Sequence, residues 1–278
     1  MAAQAWEFVE QIGEGHWAKV YSARQPGRAG ADYAVKVSHP RQPGVAMLQR
    51  EALIGSTVSH SHLAPVLSWQ LRNQPFIVMP RIEGGTLRAL LQHRRREYGC
   101  LIGGAKFLPQ SVWIARQVAC ALYALHGAGW LHGDVKPENV LLSPSGHATL
   151  IDLGLARKLG SWECQGGEVL AGTFAYVAPE SFLPAATLSG ESDVYSLGAF
   201  LYELLTGQPM FEETDPTRLA LRHLRDAPAD VREAGLDVPP ALACLVMRML
   251  AKEPLRRPAT PEVVRQLTRQ EIELLASG

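Results

Sequence analysis

The run His132-Gly133-Asp134-Val135-Lys136-Pro137-Glu138-Asn139, followed by Ile151-Asp152-Leu153-Gly154, constrains this chain more than any other feature. It lines up, in one order, a carboxylate able to accept a hydroxyl proton, a cation, and two oxygen-bearing side chains able to hold a metal ion. That order suits phosphoryl transfer, where positioning and charge neutralisation do most of the work. Each residue alone reads as part of a solvated turn. The full run, with apolar strands around it and Asp-x-Gly downstream, does not. Asp134 is the expected base, Lys136 the cation, and Asn139 and Asp152 the expected metal ligands.

The stretches before this run are organised to serve it. Gly13-Glu14-Gly15-His16-Trp17-Ala18-Lys19-Val20 lies between two largely apolar stretches, Phe8 to Ile12 and Val20 to Ala23, a pattern for a hairpin whose backbone N–H groups can approach a phosphate closely. Tyr33-Ala34-Val35-Lys36-Val37-Ser38 alternates in the manner of a half-buried strand. Leu48-Gln49-Arg50-Glu51-Ala52-Leu53-Ile54 is helix-like, and Phe76-Ile77-Val78-Met79 reads as a buried strand.

Taken in order, these segments resemble the catalytic domain of the eukaryotic-type protein kinases, most closely the bacterial serine/threonine members. The resemblance covers nearly the whole chain. Downstream, Gly172-Thr173-Phe174-Ala175-Tyr176-Val177-Ala178-Pro179-Glu180 is similar to the family's substrate-docking loop, Ser192-Asp193-Val194-Tyr195-Ser196-Leu197-Gly198 to the start of its central buried helix, and Arg257 to the arginine that pairs with the docking-loop glutamate, here Glu180. It implies an α+β, two-lobed fold: a β-rich small lobe with one main helix over residues 1–79, a hinge at 80–85, and a mostly helical large lobe over 86–278.

The same resemblance assigns roles. Lys36 would reach the nucleotide phosphates and pair with Glu51, and Thr173 would belong to the catalytic set. ATP would contact Ile12, Gly13, Glu14, Gly15, His16, Trp17, Ala18, Val20, Ala34, Lys36, Met79, Pro80, Ile82 and Leu141. Pro80 keeps the carbonyl that accepts from the adenine amino group, and Ile82 supplies an N–H. Mg2+, with Mn2+ as an alternative, would be held by Asn139 and Asp152. Lys136 and Thr173 are similar to the serine/threonine branch, so the acceptor is a serine or threonine of a protein substrate.

Departures from the family pattern carry regulatory expectations. Gly133 stands where many members have the arginine that grips an activation-loop phosphate, and Ser161 is the single hydroxyl-bearing residue between Gly154 and Thr173. Activity is therefore expected not to need activation-loop phosphorylation. Gly55 replaces a bulky apolar residue expected beside Val66, His132 and Leu153, leaving either a gap or a neighbour that fills it. A gap would weaken docking of the Glu51 helix, let the Lys36–Glu51 pair form only with nucleotide or a regulatory partner, and make Gly55→Leu activating. Ala18 for the third glycine predicts a stiffer loop, and Leu153 for phenylalanine a mild change.

Two rival readings are small-molecule phosphotransferases, whose catalytic loops also begin His-Gly-Asp, and a pseudokinase. The first lacks the Ala178-Pro179-Glu180 loop, and the second normally loses one of Lys36, Asp134, Asn139 or Asp152, all present here. Composition agrees with one catalytic unit: 278 residues, 27 basic against 27 acidic side chains, and 47% hydrophobic residues. Balanced charge gives no electrostatic case for nucleic acid. Absence of an apolar run near 20 residues predicts no spanning helix, and the four cysteines, without C-x-x-C spacing, suit a reducing cytoplasm. His93-Arg94-Arg95-Arg96 is expected to be a solvated helix end.

Overall fold

The computed structural model describes residues 6–39, 43–98, 107–160, 174–183, 187–234 and 237–277. Strands β1 (Glu7–Glu14), β2 (Ala18–Arg24) and β3 (Tyr33–Ser38) are followed by helix α1 (Gly44–Thr57) and strands β4 (Ser68–Gln70) and β5 (Phe76–Pro80). They form one antiparallel sheet in the order β1-β2-β3-β5-β4. Valine, isoleucine and aromatic residues favour this pleated surface. Its register sets Val20 opposite Lys36, Lys36 opposite Ile77, and Ala34 opposite Met79. Because side chains alternate along a strand, Val20, Ala34, Lys36 and Met79 share one face.

Helix α1 packs on this sheet through Leu48 and Ala52, which form a core with Val66 and Ile77. Gly55 lies in the same contact, and the gap allowed by its missing side chain is absent. A Cβ built there would stand 2.6 Å from Val66 Cγ2 and 3.2 Å from Val66 N, and Val66 N donates to Gly55 O at 2.8 Å. Val66 fills the space, so glycine here allows close approach of the helix to the following chain.

The second, mostly helical part of the chain begins with β6 (Gly85–Thr86), α2 (Leu87–Tyr98) and α3 (Leu108–Gly127). It continues through β7 (Trp130–Leu131), β8 (Val140–Leu142), β9 (Ala148–Leu150) and β10 (Arg157–Lys158) to α4 (Gly190–Thr206), α5 (Pro216–Arg225), α6 (Pro240–Met249) and α7 (Thr260–Ser277). The fold is thus two-lobed and α+β. Helices α3 and α4 form the centre of the large core, with Leu122, Leu125, Tyr195 and Phe200 fully buried. Helix α4 is started by reciprocal Ser189–Ser192 capping and stopped at Gly207, whose φ of 75° suits glycine.

The short strands position the chemistry. β8 pairs antiparallel with β9, and β7 pairs with β10. The polar segments 132–139 and 151–156 are therefore held at both ends by ladders, which brings them side by side. In the arginine run of α2 the expectation needs correction. Arg94 is buried at 4% exposure, with its guanidinium 4.3 Å from the Phe107 ring centre and bonded to Gln110, because its stem lies on the face toward α3. Among the described residues no helix is long and apolar enough to cross a membrane.

Candidate active site

Three segments far apart in sequence meet at Lys36. Its Nζ donates to Glu51 Oε2 at 2.7 Å and to Asp152 Oδ1 at 2.9 Å. β3 supplies the lysine and α1 the glutamate, which is buried. Asp152 adopts left-handed backbone geometry, φ 66°, and its carboxylate accepts from Gly154 N at 3.3 Å. Burial alone would lower the Lys36 ammonium, but Asp152 and Glu51 outweigh it and raise its pKa above the ordinary lysine value. Burial alone would raise the Asp152 carboxyl; Lys36 outweighs that and holds it below the usual carboxylate value. Burial pushes the Glu51 carboxyl up, opposed by Lys36. Lys36 is cationic and Asp152 anionic across the neutral range.

The second group lies on the loop between β7 and β8. Lys136 Nζ is 2.7 Å from Asp134 Oδ2, and Asn139 Nδ2 donates to Asp134 O at 2.9 Å and Asp134 Oδ2 at 2.8 Å. Both acceptors are oxygens, which fixes the amide nitrogen toward Asp134 and frees Asn139 Oδ1 for a cation. Asp134 Oδ1 is buried without a hydrogen-bond partner among the described residues. Ile151 N donates to Asn139 O at 2.9 Å, so Asn139 and Asp152 lie on bonded neighbouring segments.

The loop is held from beneath. Asp193, in the first turn of α4, accepts from His132 N at 2.8 Å and Gly133 N at 2.9 Å. Its Oδ2 lies 2.9 Å from His126 Nε2, and His126 Nδ1 lies 2.8 Å from Thr260 Oγ1. Burial would raise the Asp193 carboxyl, but these partners, His126 first, hold it below its usual value. Gly133 has φ 76°, and a Cβ there would approach Leu155 O to 2.9 Å. Glycine is the residue this turn tolerates.

The remaining expected positions fall around these two groups. Gly13 and Glu14 end β1, Gly15 N donates to Ala18 O at 2.8 Å, and His16 and Trp17 form the tip of the turn, their rings 4.4 Å apart. Ala18 pairs with Ser38 as the first residue of β2, where a methyl group fits and the freedom of glycine is not needed. Ile12 is exposed on β1. Pro80 ends β5, Ile82 follows two residues later, and Leu141 on β8 pairs with Thr86. Leu153 is buried, as its apolar character requires. Thr173, Ser161, Cys100 and Cys164 lie outside the described residues.

Beneath the docking loop, Arg257 makes two 2.7 Å bonds to Glu180, and Ser192 Oγ adds a third to the same carboxylate at 2.7 Å. This pairing matches the expectation. Sequence reasoning missed Arg50, whose NH1 donates to Gly154 O at 2.9 Å, as well as His126, Thr260 and Arg88. Arg50 adjoins Glu51 and was findable on the same helix. His126 and Thr260 carry no local pattern, because their partner lies in a third segment.

Among the described residues no group of three or more histidine, cysteine or acidic side chains is arranged to hold a metal ion. The donors here are one amide oxygen and one carboxylate oxygen, hard ligands that fit a cation retaining water and binding phosphate oxygens.

The protein kinase domain model matches residues 6–267. The chain is 33% identical over 258 residues to serine/threonine-protein kinase PknD of Mycobacterium tuberculosis, covering 91% of this chain and 37% of that protein. It is 35% identical over 259 residues to PknK of Mycobacterium bovis, covering 91% and 22%, and 32% identical over 272 residues to PknB of Mycolicibacterium smegmatis, covering 94% and 42%. The chain therefore spans less than half the length of each of these relatives.

Proposed function

Because the chain belongs to the protein kinase domain family, in its bacterial serine/threonine form, we propose that it transfers the γ-phosphoryl group of ATP to serine or threonine hydroxyls of protein substrates in a regulatory role. The observation that carries this reading is the convergence of Lys36, Glu51 and Asp152 beside the Asp134–Lys136–Asn139 group. ATP lies between a small lobe of residues 1–79 and a large lobe from residue 86, joined by the hinge at 80–85, against the face carrying Val20, Ala34 and Met79 and opposite Leu141.

Lys36, fixed by Glu51, holds the α- and β-phosphates. Asp134 orients the acceptor hydroxyl and takes its proton as the oxygen–phosphorus bond forms and the bond to ADP breaks. Lys136 neutralises charge on the moving group, and Asp134 Oδ1, which has no partner among the described residues, is the oxygen that receives the hydroxyl. Asn139 Oδ1 and Asp152 would hold Mg2+, or Mn2+ in its place, which neutralises phosphate charge when bound. These are effects of position and electrostatics.

The same reading includes activity without activation-loop phosphorylation. Gly133 offers no side chain to a phosphate, and the Lys36–Glu51 pair is formed at 2.7 Å with Val66 already seated on Gly55. Phosphatase-treated enzyme should retain its rate; a large loss overturns this part. The proposed place of action is the cytoplasm.

Incubation with radiolabelled ATP, Mg2+ and a generic basic protein, followed by phosphoamino-acid analysis, tests the activity. Label on serine or threonine, lost in Asp134→Asn and Asp152→Asn, is the expected result. Nucleotide binding without transfer would favour a pseudokinase instead.

A further inference from the structure

A cluster beside the catalytic loop is not used by the mechanism above. Arg88, in the first turn of α2, extends its guanidinium to three separate elements. Its Nε donates to Glu138 Oε1 at 2.7 Å and its NH1 to Glu203 Oε1 at 2.6 Å. Its NH2 donates to the Tyr176 hydroxyl and reaches Glu203 Oε2 at 3.4 Å. Tyr176 in turn donates to Glu203 Oε2. Glu138 stands on the catalytic loop, four residues after Asp134. Tyr176 belongs to the docking loop, and Glu203 is buried on α4.

Two carboxylates joined in this way, one of them four residues after Asp134, are natural partners of a basic side chain on an incoming peptide, since a guanidinium binds such oxygens through parallel bonds. Here the chain supplies that cation itself. Both oxygens of Glu203 are engaged, and the second oxygen of Glu138 is buried without a partner among the described residues. A peptide arginine approaching the cluster finds both oxygens of Glu203 and one of Glu138 already bonded within it, and must displace Arg88 to reach them. An acidic pair already filled by the chain's own guanidinium discriminates against the same group on a ligand.

We infer that Arg88 is a specificity-determining residue: it occupies an acidic pair beside the acceptor site and makes the enzyme indifferent to arginine near the phosphorylated residue. This rests on the kinase reading above. Without Arg88, the pair Glu138–Glu203 becomes a receptor for a substrate guanidinium. An extended chain advances about 3.3–3.6 Å per residue, so the affected position lies within a few residues of the acceptor.

The test is a panel of alanine-based peptides with one central serine and a single arginine walked through five positions on each side. For the wild type, kcat/KM with each arginine peptide should stay within about threefold of the all-alanine parent. In Arg88→Ala at least one position should gain tenfold or more over the parent, and adding Glu203→Gln should cancel that gain. A purely structural role for Arg88 would lower all peptides alike and leave the ratios unchanged. A flat profile in Arg88→Ala, or a tenfold arginine preference already present in the wild type, overturns the inference. If Arg88→Ala is insoluble, Arg88→Lys, which reaches fewer of the three partners, should show a smaller gain at the same position; a flat profile there overturns it equally. Transfer by the wild type to a generic basic protein, abolished by Asp134→Asn, separates the two readings. Its absence overturns both, whereas its presence with flat peptide profiles overturns the Arg88 role alone.

Discussion

Two buried ion pairs, one in each lobe, look alike in sequence and differ in their bonding. In the large lobe, Arg257 spends its N–H groups on Glu180 through two bonds and on the carbonyls of Ala251, Glu191 and Lys252. In the small lobe, Lys36 bonds Glu51 and Asp152, and its third N–H has no partner among the described residues. The side chain of Arg257 is 0% exposed, that of Asp152 43%. A saturated pair holds structure. An unsaturated pair, open on one side, can hold a phosphate that arrives later.

Breaking each pair should therefore fail differently. Arg257→Ala leaves Glu180 as a buried carboxylate without its cation, and unfolding stability should fall by about 3–5 kcal/mol, measured by urea denaturation, with folding yield lost before activity. A soluble, fully active variant would contradict the contrast. Glu51→Gln should do the reverse: Lys36 keeps Asp152, the melting temperature changes little, and kcat/KM falls by about 10²-fold through misplacement of the ammonium group. Steady-state kinetics beside a thermal melt distinguishes the outcomes.

Gly55→Leu sharpens the comparison by pushing on the helix that carries Glu51. Because Val66 already occupies the space, overpacking should cost about 1–3 kcal/mol and lower activity. A gain in activity would restore the gap expected from sequence.

The smallest effect concerns Lys252, the unsaturated cation beside the saturated one. Its Nζ is buried without a hydrogen-bond partner among the described residues, 5.2 Å from the Phe211 ring centre and 5.8 Å from that of Tyr195. Burial, with Arg257 nearby, pushes its pKa down to about 8 despite Asp226. The folded value lies below the unfolded one, so between about pH 8 and the ordinary lysine value of about 10.4 the unfolded chain binds more protons. This group's contribution to stability rises with pH across that window, and its penalty is fully present below it. Lys252→Met should flatten that slope in denaturation curves taken from pH 7 to 10; an unchanged slope would assign it to another group.

Much of the site was legible in the chain because its chemistry is local. Asp134, Lys136 and Asn139 fall within six consecutive positions, and Asp152-Leu153-Gly154 sits on one turn. Lys36 with Glu51, and Glu180 with Arg257, were legible only through resemblance, since nothing in their spacing requires contact. Arg94 was misjudged because a charge run gives no information about which of its members faces a neighbouring helix.

What the sequence determined by itself was the order of chemical groups and the alternation of strands and helices, both of which depend on residues a few positions apart. The tertiary structure decided how those groups are held. Asp193 reaches back 61 and 60 residues to bind His132 N and Gly133 N, Val66 closes the space at Gly55, and Arg88 joins Glu138, Tyr176 and Glu203. A side chain's partner is set by which elements pack together, and packing minimises exposed apolar surface over the whole chain, so no local pattern carries that information.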